Sequence, residues 1–141
     1  MRVLALDYGR IHTGAAISDP TGMIARPIEA IREAASPEGI KKLNELIERE
    51  NAGAVVVGMP VSLSGKHGAQ AGETQEFIEL LRKNVDIPVE PWDERFTSKL
   101  AAQKARGSDS DPHSLAACIL LEDYLGSEEF RRRAADEKRG A

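Results

Sequence analysis

Two apolar runs in this sequence end in acids: "RVLALDYG" carries Asp7, and "IPVEPW" is followed at once by Asp93 and Glu94. An ionised carboxylate in apolar surroundings is costly unless a partner or a metal ion compensates it. For Asp7 the compensation comes either from backbone N–H groups in the tight turn "DYGRIHTG" or from a cation. If the strands bearing Asp7 and Glu94 are neighbours, the two side chains face one crevice. They then offer hard oxygen donors suited to Mg²⁺ or Mn²⁺. Two such ions roughly 3.5–4 Å apart activate water and stabilise the leaving oxygen of a phosphodiester without any nucleophilic side chain. Residues 93–95, "DER", are by themselves an ordinary charged turn; the combination with Asp7 is what points to chemistry.

The elements that must position these acids are legible in the patterning. Arg2 to Tyr8 is predicted as a central strand, and Gly14 to Ser18 as its hairpin partner across "GRIHTG". "DPTG" at 19–22 is turn chemistry, and Met23 to Ile31 is a third strand that Pro27 assigns to an edge. Ser36-Pro37 is an N-cap followed by proline at the first helical position. Ile40, Leu43 and Ile47 share one face of the helix that follows, which ends near residues 51–53. "AVVVGMP" (54–60) reads as a parallel strand covered on both faces. After the glycine-rich "PVSLSGKHGAQAG", a helix has Thr74, Phe77, Ile78 and Leu81 inward, and Ile87 to Trp92 forms the next strand. Thr97 to Gly107 is a short helix, and Asp111-Pro112 opens the last one, which runs to Leu125.

This order predicts an α/β domain over residues 1–125 with a mixed five-stranded sheet, three antiparallel strands then two parallel, and helices on both faces. It fits a ribonuclease-H-like fold. Residues 126–141 form a charged C-terminal tail, read as a solvated and partly helical or frayed end. Sites in open α/β sheets lie outside the carboxyl ends of the strands, where Asp7 and the 93–94 pair both stand.

Bulk properties exclude other classes. With 141 residues, 41% hydrophobic and 30% charged, the chain suits one globular domain, and no apolar run approaches the roughly 20 residues of a membrane span. The first residues lack the pattern of a secretory signal, and the single Cys118 allows no internal disulfide, so a cytoplasmic location is expected. Cys118, within "AACILLEDYL", reads as a small buried hydrophobe. A net charge of −4 does not suggest nucleic-acid binding by bulk electrostatics, although a local basic rim can hold a strand.

Four segments, "LALDYGRIHTGAAISD", "VVVGMPVSLSG", "WDERFTS" and "AACILLEDYL", occur in the order and at about the spacing of the YqgF/RuvX family. The chain resembles that family nearly throughout, up to Leu125. Its members are described as Holliday junction resolvases and as nucleases maturing the 5′ end of 16S rRNA. The resemblance implies a metal-dependent nuclease with Asp7 and Glu94 as the first two catalytic acids. Thr13 and Gly14 would lie in the hairpin beside the first acid, and Arg95, Thr97 and Ser98 beside the second. Counting back from "ILLEDYL" puts His113 where the family has its third acid. Asp111 reaches the site instead if the helix start is shifted, but it is also the natural N-cap. Imidazole ligates Mn²⁺ more readily than Mg²⁺, so His113 as a metal ligand tilts preference toward manganese.

The resemblance also departs from the family at "ARGSDSDPHS", where a longer lysine-rich segment is usual. Nucleic-acid contacts are therefore expected from Arg10, Lys66, His67, Arg95, Lys99, Lys104 and Arg106, with backbone N–H groups of the Gly58 to Gly68 loop helping to hold phosphate. The leading reading is an endonuclease for structured nucleic acid, either precursor 16S rRNA or a DNA junction. A junction resolvase needs a homodimer to cut two strands symmetrically. One alternative is a nucleic-acid-binding protein of the same fold, weakened catalytically by His113. Another is an actin-like ATP-binding domain, suggested by "DYGRIHTG"; such enzymes close a nucleotide between two domains, which one domain cannot do.

Overall fold

A computed structural model describes residues 1–60, 69–93 and 112–140 of the protein. The elements are β1 (Arg2–Asp7), β2 (His12–Ser18), β3 (Ala25–Arg32), α1 (Pro37–Glu50), β4 (Ala52–Met59), α2 (Ala69–Asn84), β5 (Val89–Asp93), α3 (Pro112–Leu125) and α4 (Glu128–Gly140). The strands form one sheet in the order β3-β2-β1-β4-β5. The β1–β2 and β2–β3 pairs are antiparallel, while β4 lies parallel to both β1 and β5. This is the mixed five-stranded sheet expected from the sequence, with β3 and its Pro27 at an edge. The short helix expected at 97–107 and the Asp111 cap lie outside the described residues.

Side-chain alternation along β1 sets the layering. Leu4 and Leu6 join Val55 and Val57 of β4 in one core with Leu43 of α1 and Phe77, Ile78 and Leu81 of α2. Val3 and Ala5 point the other way, into a second core with Ala16, Val56 and the α3 residues Ala117, Leu120, Leu121 and Tyr124. Each large aliphatic side chain so buried contributes about 1.5–3 kcal/mol. Helices therefore cover both faces. Among the described residues no helix is long and apolar enough to cross a membrane.

Local chemistry explains the boundaries. The Ser36 Oγ accepts the Gly39 N–H at 3.0 Å, with Pro37 in the first turn, and α1 ends at Asn51 in the left-handed region with φ 52°. The turn between β2 and β3 is organised by Asp19, whose carboxylate accepts the N–H groups of Met23 at 2.8 Å and Ile24 at 2.9 Å and the Thr21 hydroxyl. Gly22 in that turn has φ 74°, and a Cβ there would lie 2.6 Å from the Phe130 ring of α4. The charged residues after Gly126 thus build a helix that buries Phe130 edge-on against Tyr124, with ring centroids 5.7 Å apart, and pairs Arg133 with Glu90 of β5.

Candidate active site

Asp7 has the same parity as Val3 and Ala5, so it belongs to the sheet face covered by α3. It is half-buried at the carboxyl end of β1, the central strand. Its register partner on β2 is Gly14, which places the two Cα atoms about 4.5–5.5 Å apart. Gly14 in turn receives the start of α3: a Cβ at this position would stand 1.9 Å from the His113 carbonyl oxygen and 2.8 Å from the Ser114 nitrogen. Only a residue without a side chain permits that approach. Through this one glycine, residues 7 and 113, more than a hundred positions apart, arrive at the same end of the same face.

Ser114 locks the approach. Its buried hydroxyl donates to the Ile28 carbonyl of β3 at 2.5 Å and accepts the Ala15 N–H of β2 at 3.4 Å. His12 has the same parity on β2 as Gly14 and Ala16, and its ring lies 5.4 Å from that of His113, centroid to centroid, with the planes tilted by 31°. Both histidines are exposed. The turn linking β1 to β2 is held from inside by fully buried Thr13, whose Oγ1 lies 3.3 Å from both the N and the O of Gly9.

Residues adjoining Asp7 on the opposite face make a different cluster. Tyr8 stacks on Phe77 of α2 at 4.3 Å and 18°. Arg10 forms a two-point ion pair with Glu73 of α2, one contact being Nε to Oε2 at 3.0 Å. The guanidinium holds the Glu73 carboxyl below the usual range, and burial followed by the Glu73 charge pushes the Tyr8 phenol up. Arg10, expected from sequence to meet nucleic acid, is therefore engaged by α2, away from the side of the sheet that holds Asp7. Cys118 is buried as expected, and its thiol donates to the Ala25 carbonyl at 3.4 Å.

The strands that carry Asp7 and lead to Glu94 are not neighbours, because β4 lies between β1 and β5; exposed Asp93 ends β5 in register with Met59 of β4. Beside it a cleft of about 590 Å³ is lined by Met59, Gln75, Pro91, Trp92, Asp93 and Asp123. The Trp92 indole N–H donates to Asp123 of α3 at 2.9 Å across it. Glu94, Arg95, Lys66, Lys99, Lys104, Arg106 and Asp111 lie outside the described residues. Among the described residues, no three of His, Cys, Asp and Glu gather in a group able to hold a metal ion. The donor chemistry at the strand end does suit a divalent ion: the Asp7 oxygen and the His113 nitrogen belong to types that Mn²⁺ accepts together. His12 and Ser114 were not singled out from sequence. The usable signal for His12 was the period-two spacing of residues 12, 14 and 16; Ser114 carried none.

A mixed five-stranded sheet with helices on both faces and an acid at the end of its first strand defines a ribonuclease-H-like α/β protein of the kind seen in junction resolvases. Thermus thermophilus RuvC superposes with a TM-score of 0.57 at 18% identity, covering 95% of this chain and 97% of that one. The same protein bound to a Holliday junction substrate gives 0.55, at 89% and 97% coverage. A profile of the RuvX family, described as Holliday junction resolvase, matches residues 1–127, and the chain belongs to that family. Relatives named "Putative pre-16S rRNA nuclease" include one from Clostridium acetobutylicum, 34% identical over 134 positions that span 90% of this chain and 99% of the relative. Another, from Sulfurihydrogenibium, is 36% identical over 142 aligned positions, spanning 96% and 97%.

Proposed function

We propose that this protein is a divalent-metal-dependent endonuclease that cuts phosphodiester bonds in structured RNA, with the 5′ region of precursor 16S rRNA as its substrate. The observation that carries the reading is the convergence at the carboxyl end of β1. Asp7 stands on the α3 face, and the backbone of His113 is seated on Asp7's ladder partner Gly14. The names carried by the relatives favour RNA over a DNA junction.

In this proposal Asp7 and Glu94 hold the ions, and His113 or Asp111 completes the set. Bound there, Mg²⁺ or Mn²⁺ would activate the attacking water and stabilise the leaving oxygen. Asp7 orients its oxygens from the central strand, whose position is fixed by ladders on both sides. Arg95 assists at the phosphate, and Lys66, Lys99, Lys104 and Arg106 contribute to the grip on the backbone. Arg10 joins them only by releasing Glu73.

The test is cleavage of a precursor 16S rRNA fragment, a four-way DNA junction and unstructured RNA, each with Mg²⁺ and with Mn²⁺. Cleavage of the precursor should be abolished in Asp7→Asn, with the urea midpoint of unfolding nearly unchanged. Full activity in that variant refutes the assignment. The family description makes the junction the second reading; cutting of the four-way DNA alone would establish it. Binding without cleavage of any substrate would establish a non-catalytic binder. A dead Asp111→Ala beside an active His113→Ala would move the third ligand to Asp111.

A further inference from the structure

We propose that His12 and His113 together form a binding site for a tetrahedrally coordinated transition-metal ion, of which Zn²⁺ is the representative, and that Mg²⁺ does not fill it. This assigns His12 a role beside His113, rests on the nuclease reading only for its location, and takes Asp111 as the residue that completes the Mg²⁺ or Mn²⁺ set.

Geometry supplies the argument. A zinc–nitrogen bond is about 2.0–2.1 Å and a ring nitrogen lies about 1.1 Å from its centroid, so two imidazoles on one tetrahedral ion have centroids about 5.2 Å apart. The observed separation is 5.4 Å.

Backbone contacts anchor both residues at this end of the sheet. His12 stands at the first position of β2, laddered to Arg32 of β3, and the β3 end is tied back by the Glu33 N–H to the Ile11 carbonyl at 2.8 Å. His113 sits in the first turn of α3, pressed onto Gly14 and pinned by Ser114 to both β2 and β3. Anchored backbones keep the two imidazoles within reach of one ion, and side-chain rotation then brings a nitrogen of each to it. Both rings are exposed, so an ion and the waters completing its shell have access. The Asp7 carboxylate on the same face favours a cation. Arg32 opposes it, but its charge is exposed and screened by solvent. Nitrogen donors choose the ion: imidazole suits zinc and its neighbours, whereas Mg²⁺ keeps oxygen ligands.

The experiment is calorimetric titration of the full chain with Zn²⁺, without nucleic acid, paired with NMR of the imidazole nitrogens. With excess Mg²⁺ present to occupy the carboxylate set, one equivalent should bind, with the His12 and His113 resonances moving together. Affinity should fall at least tenfold in His12→Ala and in His113→Ala, and stay within twofold in His67→Ala. A hundredfold excess of Mg²⁺ should not displace the ion. Because both histidines are exposed, their alanine variants keep the core, which the same NMR spectra verify. Zinc affinity unchanged by His12→Ala, dependent on His67, or competed by Mg²⁺ overturns the proposal. The two readings fail separately: absent zinc binding with intact Mg²⁺-dependent cleavage sinks only the histidine pair, and zinc binding without nuclease activity sinks only the nuclease.

Discussion

Replacing Gly14 with alanine tests the contact on which the site's geometry depends. The new Cβ would stand 1.9 Å from the His113 carbonyl oxygen and 2.2 Å from its carbon, whereas real Cβ atoms essentially never come within 3.0 Å of a heavy atom outside their own residue and its chain neighbours. Both obstacles are backbone, so no side chain can swing aside; the first turn of α3 must retreat by about 1 Å. Overpacking of this kind costs about 1–3 kcal/mol. The same retreat breaks the two Ser114 hydrogen bonds to Ile28 and Ala15, each worth about 1 kcal/mol. The expected loss is therefore about 3–5 kcal/mol, read in urea denaturation, or roughly 9–15 °C in Tm for a domain of this size. Gly72→Ala is the control. It lies in α2 with nothing within 4 Å of the added carbon, and it should stabilise by about 0.5–1 kcal/mol through helix propensity. A Gly14→Ala protein within about 1 kcal/mol of the parent would refute the seating of α3 on β2, and with it the convergence of residues 7 and 113.

Two further outcomes follow from the local chemistry. Ser36→Ala removes the N-cap oxygen that accepts the Gly39 N–H and should cost about 1 kcal/mol in the same denaturation assay. The Thr21 hydroxyl and then the Ile24 N–H hold Asp19 far below the ordinary aspartate range. Because its folded value is depressed, its contribution to stability is complete above the unfolded value and is lost as pH falls through the folded one. In an NMR pH titration the Asp19 carboxyl should stay ionised well below the usual midpoint, and Thr21→Val should move that midpoint up; an ordinary midpoint in the parent protein would contradict the turn geometry.

What the amino-acid order determined by itself was local. Period-two alternation in "RVLALD" and "GAAIS", the Ser36-Pro37 start of α1 and the apolar run "AVVVG" depend on near neighbours, and each formed the element expected of it, as did Pro27 on its edge strand. Asp7 at a strand end was legible for the same reason: a carboxylate closing an apolar run stands out without knowledge of its surroundings.

The tertiary structure decided which of these features meet. Alternation assigns residues 3, 5 and 7 to one face but does not say which helix covers it. The answer lay in Gly14, whose missing side chain admits the α3 backbone, and in Ser114, a short polar residue in a helix that is otherwise apolar there. His12 acquired a neighbour only because α3 starts where it does, and Arg10 left the crevice because Glu73 happens to stand opposite it on α2. Such pairings are set by close packing between elements far apart in the chain, where the shape of a single residue outweighs any periodic signal around it.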